Sequence, residues 1–441
     1  MCSALPKVLH PLAGLPLLQH VLHAAQQLEP SNIHVVYGHG GEQVPEAFAH
    51  ESVNWVLQEQ QLGTGHAVDQ VMAWVSDGDT LLVLYGDVPL IQADTLRHLL
   101  VHADNGGVSV LTATLNDPQG YGRITRDADG HLAGIVEQKD ASEAQLNIRE
   151  INTGFLAAPA SRLRGWLARL DNSNTQREYY LTDVIAMAVA DGVAVASVSA
   201  ANEYEILGVN DRVQLSTLER IYQRSEAERL MRSGVTLADP GRLDVRGDIS
   251  VGQDCFIDTN VILDGTVNLG NNVKIGPNCL IQNCIIGDSV EILSHCVIQD
   301  AEIGVASRIG PFARIRPETR LADHVHVGNF VEIKKSSVDT GSKINHLSYI
   351  GDTRMGAKVN VGAGTITCNY DGANKHLTEI GDDVFIGSDT QLVAPVKVGD
   401  GATIGAGSTI TREVPTGELV LSRSPQKIRP GWQRPVKESK K

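Results

Sequence analysis

Three short stretches of this 441-residue chain carry residue types that could do chemistry. Asp87 follows the almost wholly apolar run Leu81–Tyr85, and polarity breaks abruptly at Gly86-Asp87. A carboxylate at such a strand end is either a turn former or an oxygen ligand for a hard cation bridging phosphates. Gly63-Thr64-Gly65 leads into a helical pattern and offers backbone N–H groups and a hydroxyl to an anion or a base edge, or makes an ordinary N-terminal turn. The polar excursion TCNYDGANKHLTE (367–379) interrupts a regular repeat, which suits a binding loop or a tolerated insertion.

The elements that must position these residues differ between the two halves. In the first half, helical spacing over Leu17–Leu28, the strand run NIHVVYG (32–38), the run NWVLQ (54–58) and TLLVLYGDVPL (80–90) alternate with helical stretches. That alternation predicts an α/β sheet of parallel, doubly wound type with ligands at the carboxyl ends of its strands. From about Asp211 to Ser233 a Glu-, Arg- and Gln-rich stretch carries Leu215, Leu218, Ile221, Tyr222 and Leu230 on one stripe, with Gly234 beyond its end. It reads as a single connecting helix capped by glycine.

From Val251 to Ile410 an aliphatic residue returns every sixth position, as in Val251, Ile257, Leu263, Leu269, Ile275 and Ile281, often with Gly after it. A helix would repeat at 3.6 and a half-buried strand at two. A period of six is that of a parallel β-helix, three hexads to a triangular coil, in which each rung buries its aliphatic residue only by stacking on its neighbours.

Composition agrees. The chain is longer than one core usually serves, so two domains are expected. Its 43 glycines and 4% aromatic content suit a solenoid, and a net charge of −15 argues against nucleic acid and for small-molecule or protein partners. Six cysteines without C-x-x-C spacing point to a reducing, cytoplasmic setting rather than a metal site. No uninterrupted apolar stretch approaches the ~18 residues of a membrane span. The opening faintly imitates a signal peptide, but Pro6, Pro11 and Pro16 break its apolar run. The basic ending Lys437–Lys441 reads as a solvated tail.

Read as motifs, the chain resembles one family: the bifunctional bacterial N-acetylglucosamine-1-phosphate uridylyltransferase / glucosamine-1-phosphate N-acetyltransferases. The residues that carry the resemblance are LPKVLHPLAG (5–14), QEQQLGTGHA (58–67), LYGDVPL (84–90), GYGRI (120–124), EINTG (150–154), YYLTD (179–183), GVNDR (208–212), IGPFARIRP (309–317), VGNFVEIKK (327–335), NHLSYIGD (345–352), VNVGAGTITCNYDGANK (359–375) and IGSDTQLVAP (386–395). It implies an α/β, Rossmann-like nucleotidyltransferase domain over 1–212, a linker helix over 213–233 and a left-handed parallel β-helix of hexapeptide repeats over 234–441. Members of the family begin with a strand and a Gly-rich loop of the form LAAGxGTRM, and this sequence starts at the Met that would close that loop. Met1 then marks an internal start or a truncation, with the uridylyl site and one central strand incomplete as numbered.

The resemblance also assigns roles. In the first domain Lys7 neutralises phosphate charge, Gln58, Gly63 and Thr64 read the uracil, and Tyr85, Gly86, Gly122, Glu137 and Asn152 hold the sugar nucleotide. Asp87 and Asn210 ligate Mg²⁺ while the sugar phosphate attacks UTP. In the second domain His346 is the general base, since an imidazole with an ordinary pKa near ~6.5 can take a proton at neutral pH. Arg316 and Lys334 clamp the phosphate of glucosamine 1-phosphate, and Tyr349, Asn360 and Lys375 complete sugar recognition. Ala363, Asn369, Tyr370, Ser388, Ala406 and Arg423 bind acetyl-CoA. The family's sites form between β-helices of a homotrimer, so Lys375, Ser388, Ala406 or Arg423 could serve an adjacent subunit. The products supply peptidoglycan, lipopolysaccharide and lipid A synthesis in the cytoplasm. Two other readings stand beside this one: an acetyltransferase with an inactive first domain, and a non-catalytic sugar-nucleotide-binding subunit, against which the presence of Asp87, Asn210, Lys334 and His346 argues.

Overall fold

A computed structural model describes residues 1–38 and 41–437; positions 438–441 of the basic ending lie outside the described residues. The chain divides into two compact units, Met1–Tyr222 and Gln223–Lys441. The division falls inside one helix, Arg212–Arg232, which covers the stretch read as a connector.

The first unit is built on a six-stranded sheet in which the long strand Glu150–Pro159 is central. This strand runs antiparallel to Thr80–Val83, Val108–Thr114 and Gly122–Arg126. Only Val195–Ser199 and Val108–Thr114 pair in parallel within it. A parallel sheet was expected, and the difference has a simple source. Gly122–Arg126 and Leu132–Val136 form a hairpin that turns the chain back on itself, and the central strand, antiparallel to Gly122–Arg126, runs in the direction the hairpin set. Antiparallel neighbours need only a short turn, whereas a parallel return needs a crossover of a dozen residues or more. Strands His34–Tyr37 and Asn54–Leu57 make a separate parallel pair. The helix Ala93–Ala103 packs Leu96 and Leu99, both fully buried, with Leu111, Ile151 and Phe155 of the sheet. The helices Ala160–Leu167 and Asp183–Ala190 contribute Leu163, Trp166, Val184 and Ile185 to a second cluster.

The second unit is a parallel β-helix. One ladder carries Ile275, Ile292, Ile309, Val327, Ile344, Val361, Ile386 and Ile404 in unbroken parallel register. A second, 16-stranded ladder forms the rest of the wall. These hexad positions are at most 3% exposed. Burying one such side chain is worth ~1.5–3 kcal/mol, so the repeat sums many equal contributions along a single axis.

Most bends are made by non-glycine residues with left-handed backbone rather than by the glycines that often follow the aliphatic residues. One corner column runs Asn278, His295, Phe312, Phe330 and Leu347, with φ between 48° and 61°. The glycines answer a different need, because the next coil lies directly on them: a Cβ at Gly387 would sit 2.4 Å from Ala406 N. Towards the C-terminus, buried Ser342, Thr365, Thr390 and Ser408 stand where Cys255, Cys279 and Cys296 stand earlier, and each hydroxyl donates to a main-chain carbonyl at 2.6–2.8 Å. Among the described residues no helix is long and apolar enough to cross a membrane.

Candidate functional site

In the first unit the chain places Lys7, Asp87 and Asn210 together from three distant segments. Lys7 Nζ lies 2.5 Å from Asp87 Oδ2 and 3.0 Å from Asn210 Oδ1. Asp87 leaves the strand Thr80–Val83 through a turn in which Val88 N donates to Tyr85 O, and Asp87 O accepts from Val209 N at 3.0 Å. That last bond ties the Asn210 segment to the strand end. Two oxygens of different chemistry thus converge on one cation, the Lys7 ammonium. A hard divalent ion such as Mg²⁺, which takes few protein oxygens and keeps positions for water and phosphate, fits the same pair.

Around this point stand the other predicted groups. Tyr85 packs edge-on against Phe155 with ring centroids 6.0 Å apart, and burial, reinforced by the Glu137 and Asp87 carboxylates, pushes its hydroxyl up to about 12. Burial also raises the Glu137 carboxyl; the hydroxyl of Thr182 donates to it at 3.2 Å, and Asp183 and Asp140 add like charge. Gly122 pairs with Asn152, and a Cβ there would reach within 3.4 Å of the Glu137 carboxylate. Asn152 is buried, its Oδ1 accepting from Gly154 N. Gln58 and Gly63 sit together, Gln58 Nε2 donating to Gly63 O at 3.2 Å. The Thr64 hydroxyl accepts from Leu181 N at 3.1 Å, so this loop is anchored by the YYLTD segment. Sequence reasoning did not single out Tyr121, Thr182 or His66. Each lies inside a quoted motif, GYGRI, YYLTD and QEQQLGTGHA, but its partner is set by the fold: Tyr121 feels Asp87, Thr182 holds Glu137, and His66 Nδ1 lies 2.9 Å from Gln58 Nε2.

In the second unit Ala363, Ser388, Ala406 and Arg423, of the predicted acetyl-CoA residues, fall on one column beside His346, while Asn369 and Tyr370 lie off it. Gly364 N donates to His346 O, Asp389 N to Ala363 O, Gly407 N to Ser388 O, and Arg423 Nη1 to Ala406 O. His346, Ala363, Ser388, Ala406 and Arg423 therefore succeed one another, one per coil. With strands ~4.8 Å apart, the column from His346 to Arg423 is about 19 Å long. His346 is exposed at the end of the strand Lys343–His346, and its Nδ1 lies 3.0 Å from Asn329 Oδ1, its partner one coil earlier.

Across the corner from His346 the basic residues converge. Arg316 and Lys334 follow the stacked pair Ile315 and Ile333, so they stand one coil apart. Arg316 Nη1 donates to Glu332 at 2.7 Å, and Glu332 is in register with Tyr349. Lys375 arrives from the 369–377 hairpin, pinned by a Tyr370–Lys375 bridge and by Asp371. Asp371 accepts from the N–H groups of Ala373 and Asn374 and pairs with His376, which holds its carboxyl far below the usual range. The Lys375 ammonium lies beside Lys334 of its own chain, and that neighbour is the main cause of its lowered pKa. Asn369, buried, donates to Asp352, while Tyr370 is exposed. Asn360 stacks on Lys343 in the His346 ladder. Asn329 and Glu332 were not singled out from sequence. The signal was present: each lies 17 residues, one coil, before a predicted site residue, His346 and Tyr349.

Comparison with known proteins agrees with the fold of the two units. Residues 1–235 match the MobA-like NTP transferase domain, residues 245–345 the GMPPB C-terminal domain, and residues 377–412 the bacterial transferase hexapeptide (six repeats). The chain is 57% identical over 435 residues, 99% of its length and 94% of the relative's, to the "Bifunctional protein GlmU" of Alkalilimnicola ehrlichii (strain ATCC BAA-1101 / DSM 17681 / MLHE-1). With that identity across nearly the whole of both chains, and with a nucleotidyltransferase match preceding hexapeptide repeats, the chain belongs to the GlmU family of bifunctional proteins.

Proposed function

We propose that the chain makes UDP-N-acetylglucosamine by two transfers, one in each unit. In the second unit the amine of glucosamine 1-phosphate attacks the thioester carbon of acetyl-CoA; the C–N bond forms, the C–S bond breaks, and coenzyme A leaves as its thiol. His346 takes the proton from the attacking nitrogen. Arg316, Lys334 and Lys375 hold the phosphate, and two ammonium groups forced side by side are what a doubly charged phosphate relieves. Tyr349 and Asn360 orient the sugar. Ala363, Ser388, Ala406 and Arg423 carry the coenzyme along their column, with Asn369 and Tyr370 at its side.

In the first unit a phosphate oxygen of N-acetylglucosamine 1-phosphate attacks the α-phosphorus of UTP, and the bond to the β-phosphate breaks to release pyrophosphate. Lys7 offsets phosphate charge. Asp87 and Asn210 would hold Mg²⁺, which would supply further neutralisation of the triphosphate. Gln58, Gly63 and Thr64 face the base, and Tyr85, Gly86, Gly122, Glu137 and Asn152 the sugar nucleotide. The working form is a cytoplasmic homotrimer joined through the β-helices, and its product feeds cell-wall and lipid A synthesis.

The observation that carries this reading is the single column from His346 to Arg423 next to the Arg316–Lys334–Lys375 cluster. The test is His346→Ala, assayed for thiol release from acetyl-CoA and for pyrophosphate release from UTP. Loss of a general base costs ~10²–10⁴-fold in the first assay, and the second should be unchanged. Near-normal acetylation across pH 6–8 would assign the proton to another group.

A further inference from the structure

We propose that Asn329 is the positioning residue of the acetyl-transfer centre, accepting the Nδ1–H of His346 and so leaving Nε2 as the free lone pair that receives the proton; this rests on the reading of His346 as the base. A neutral imidazole carries its single N–H on one nitrogen, and the partner of that nitrogen decides which one is left to act as base. His346 Nδ1 lies 3.0 Å from Asn329 Oδ1.

The backbone fixes this contact. Asn329 and His346 are register partners in adjacent parallel strands, and Leu347 N donates to Asn329 O at 3.1 Å. Both residues immediately precede a left-handed corner, Phe330 at φ 57° and Leu347 at φ 48°, so they leave their strands at the same point of successive coils. Gly328, which precedes Asn329, has the Asn345 carbonyl packed where a Cβ would be, 1.9 Å away, which seats the two coils tightly at this site. The ladder's other charged groups here are His326 and Lys343, in register with each other, and Arg308 one coil before His326. All three are donors when charged. Asn329, by contrast, presents an amide oxygen, a fixed acceptor without charge that orders the ring without trapping it as imidazolium.

The test uses the full-length protein with Asn329→Ala and Asn329→Asp, alongside His346→Ala. Asn329→Ala should lower kcat for acetyl transfer about 10–100-fold, the usual cost of losing a group that orients a functional histidine, with KM for both substrates little changed. Nitrogen-15 spectra of the imidazole should show Nδ1–H in the wild type and a gain of the Nε2–H tautomer in Asn329→Ala. Asn329→Asp can still accept from Nδ1–H and should keep more activity than the alanine variant. Its carboxylate should move the acidic limb of the kcat profile to higher pH by about 1–3 units.

An unchanged kcat and tautomer in Asn329→Ala, or a wild-type pH profile in Asn329→Asp, overturns the proposal. If Asn329→Ala fails to fold, the aspartate variant and the wild-type spectrum decide it alone. Should His346→Ala be inactive while Asn329→Ala is normal, only the positioning role falls. If His346→Ala stays active, the assignment of the base falls with it.

Discussion

Asp87 illustrates how far single residues speak from sequence. Its place at the end of an apolar run was legible locally, and that it shares a site with Lys7 and Asn210 was legible only through the family resemblance; the Lys7 contacts with Asp87 and Asn210 span 80 and 203 positions and are set by the fold rather than by local spacing. Asp87→Ala should lower pyrophosphate release at least ~10²-fold, the scale for losing one fixed electrostatic partner of a transfer reaction, while thiol release persists; equal loss in both assays would mean a folding defect. Tyr85 gives a pH prediction. Its folded pKa of about 12 lies above the ordinary 10, so the fold favours the neutral phenol. That stabilisation is fully present below pH 10 and is lost as pH rises through 12. Denaturant titrations between pH 9 and 12 should show a decline that is shallower in Tyr85→Phe. An identical slope in both proteins would place the alkaline loss elsewhere.

At the scale of elements, the β-helix was legible because its period is written in every coil, and register follows from counting. The first unit's strand directions were not. Apolar runs such as Leu81–Tyr85 report burial and leave direction to the connections, and the hairpin of Gly122–Arg126 with Leu132–Val136 reversed it. The glycines after the hexad aliphatic residues serve as contact points between coils. Gly328→Ala tests this, since the added methyl would meet main chain, which cannot swing aside as a side chain could. It should lower the melting temperature of the second unit and reduce acetyl transfer, with pyrophosphate release retained. Gly341→Ala is not a neutral control, because its φ of 74° adds strain of its own. A Gly328→Ala protein with wild-type stability and rate would show that the coils can part here at no cost.

For the whole molecule, two compact units with separate centres imply separable activities. Chelation of divalent ions should abolish pyrophosphate release and spare thiol release, because the acetyl-transfer centre as built here uses an imidazole and cations of the chain itself. Inhibition of both assays by chelator would show a metal requirement in the second unit. Sedimentation should give a species of three chains. An active monomer would exclude the trimer and require every group of the acetyl-transfer centre to come from one chain.

The column of one site residue per coil has a further meaning. A stack of equal rungs is a ruler, and it measures in steps of ~4.8 Å. If His346 marks the thioester end of the coenzyme and Arg423 its nucleotide end, the number of coils between them records the length of the flexible arm that joins the two. Substituting residues along the column changes grip; adding one complete coil after Gly364 would change length alone, leaving every side chain intact and every rung paired. Such a protein should fold and bind coenzyme fragments at either end, yet fail to hold both ends of acetyl-CoA at once; Lys375, which follows the insertion, would move one rung away from Lys334, so the phosphate cluster would open as well.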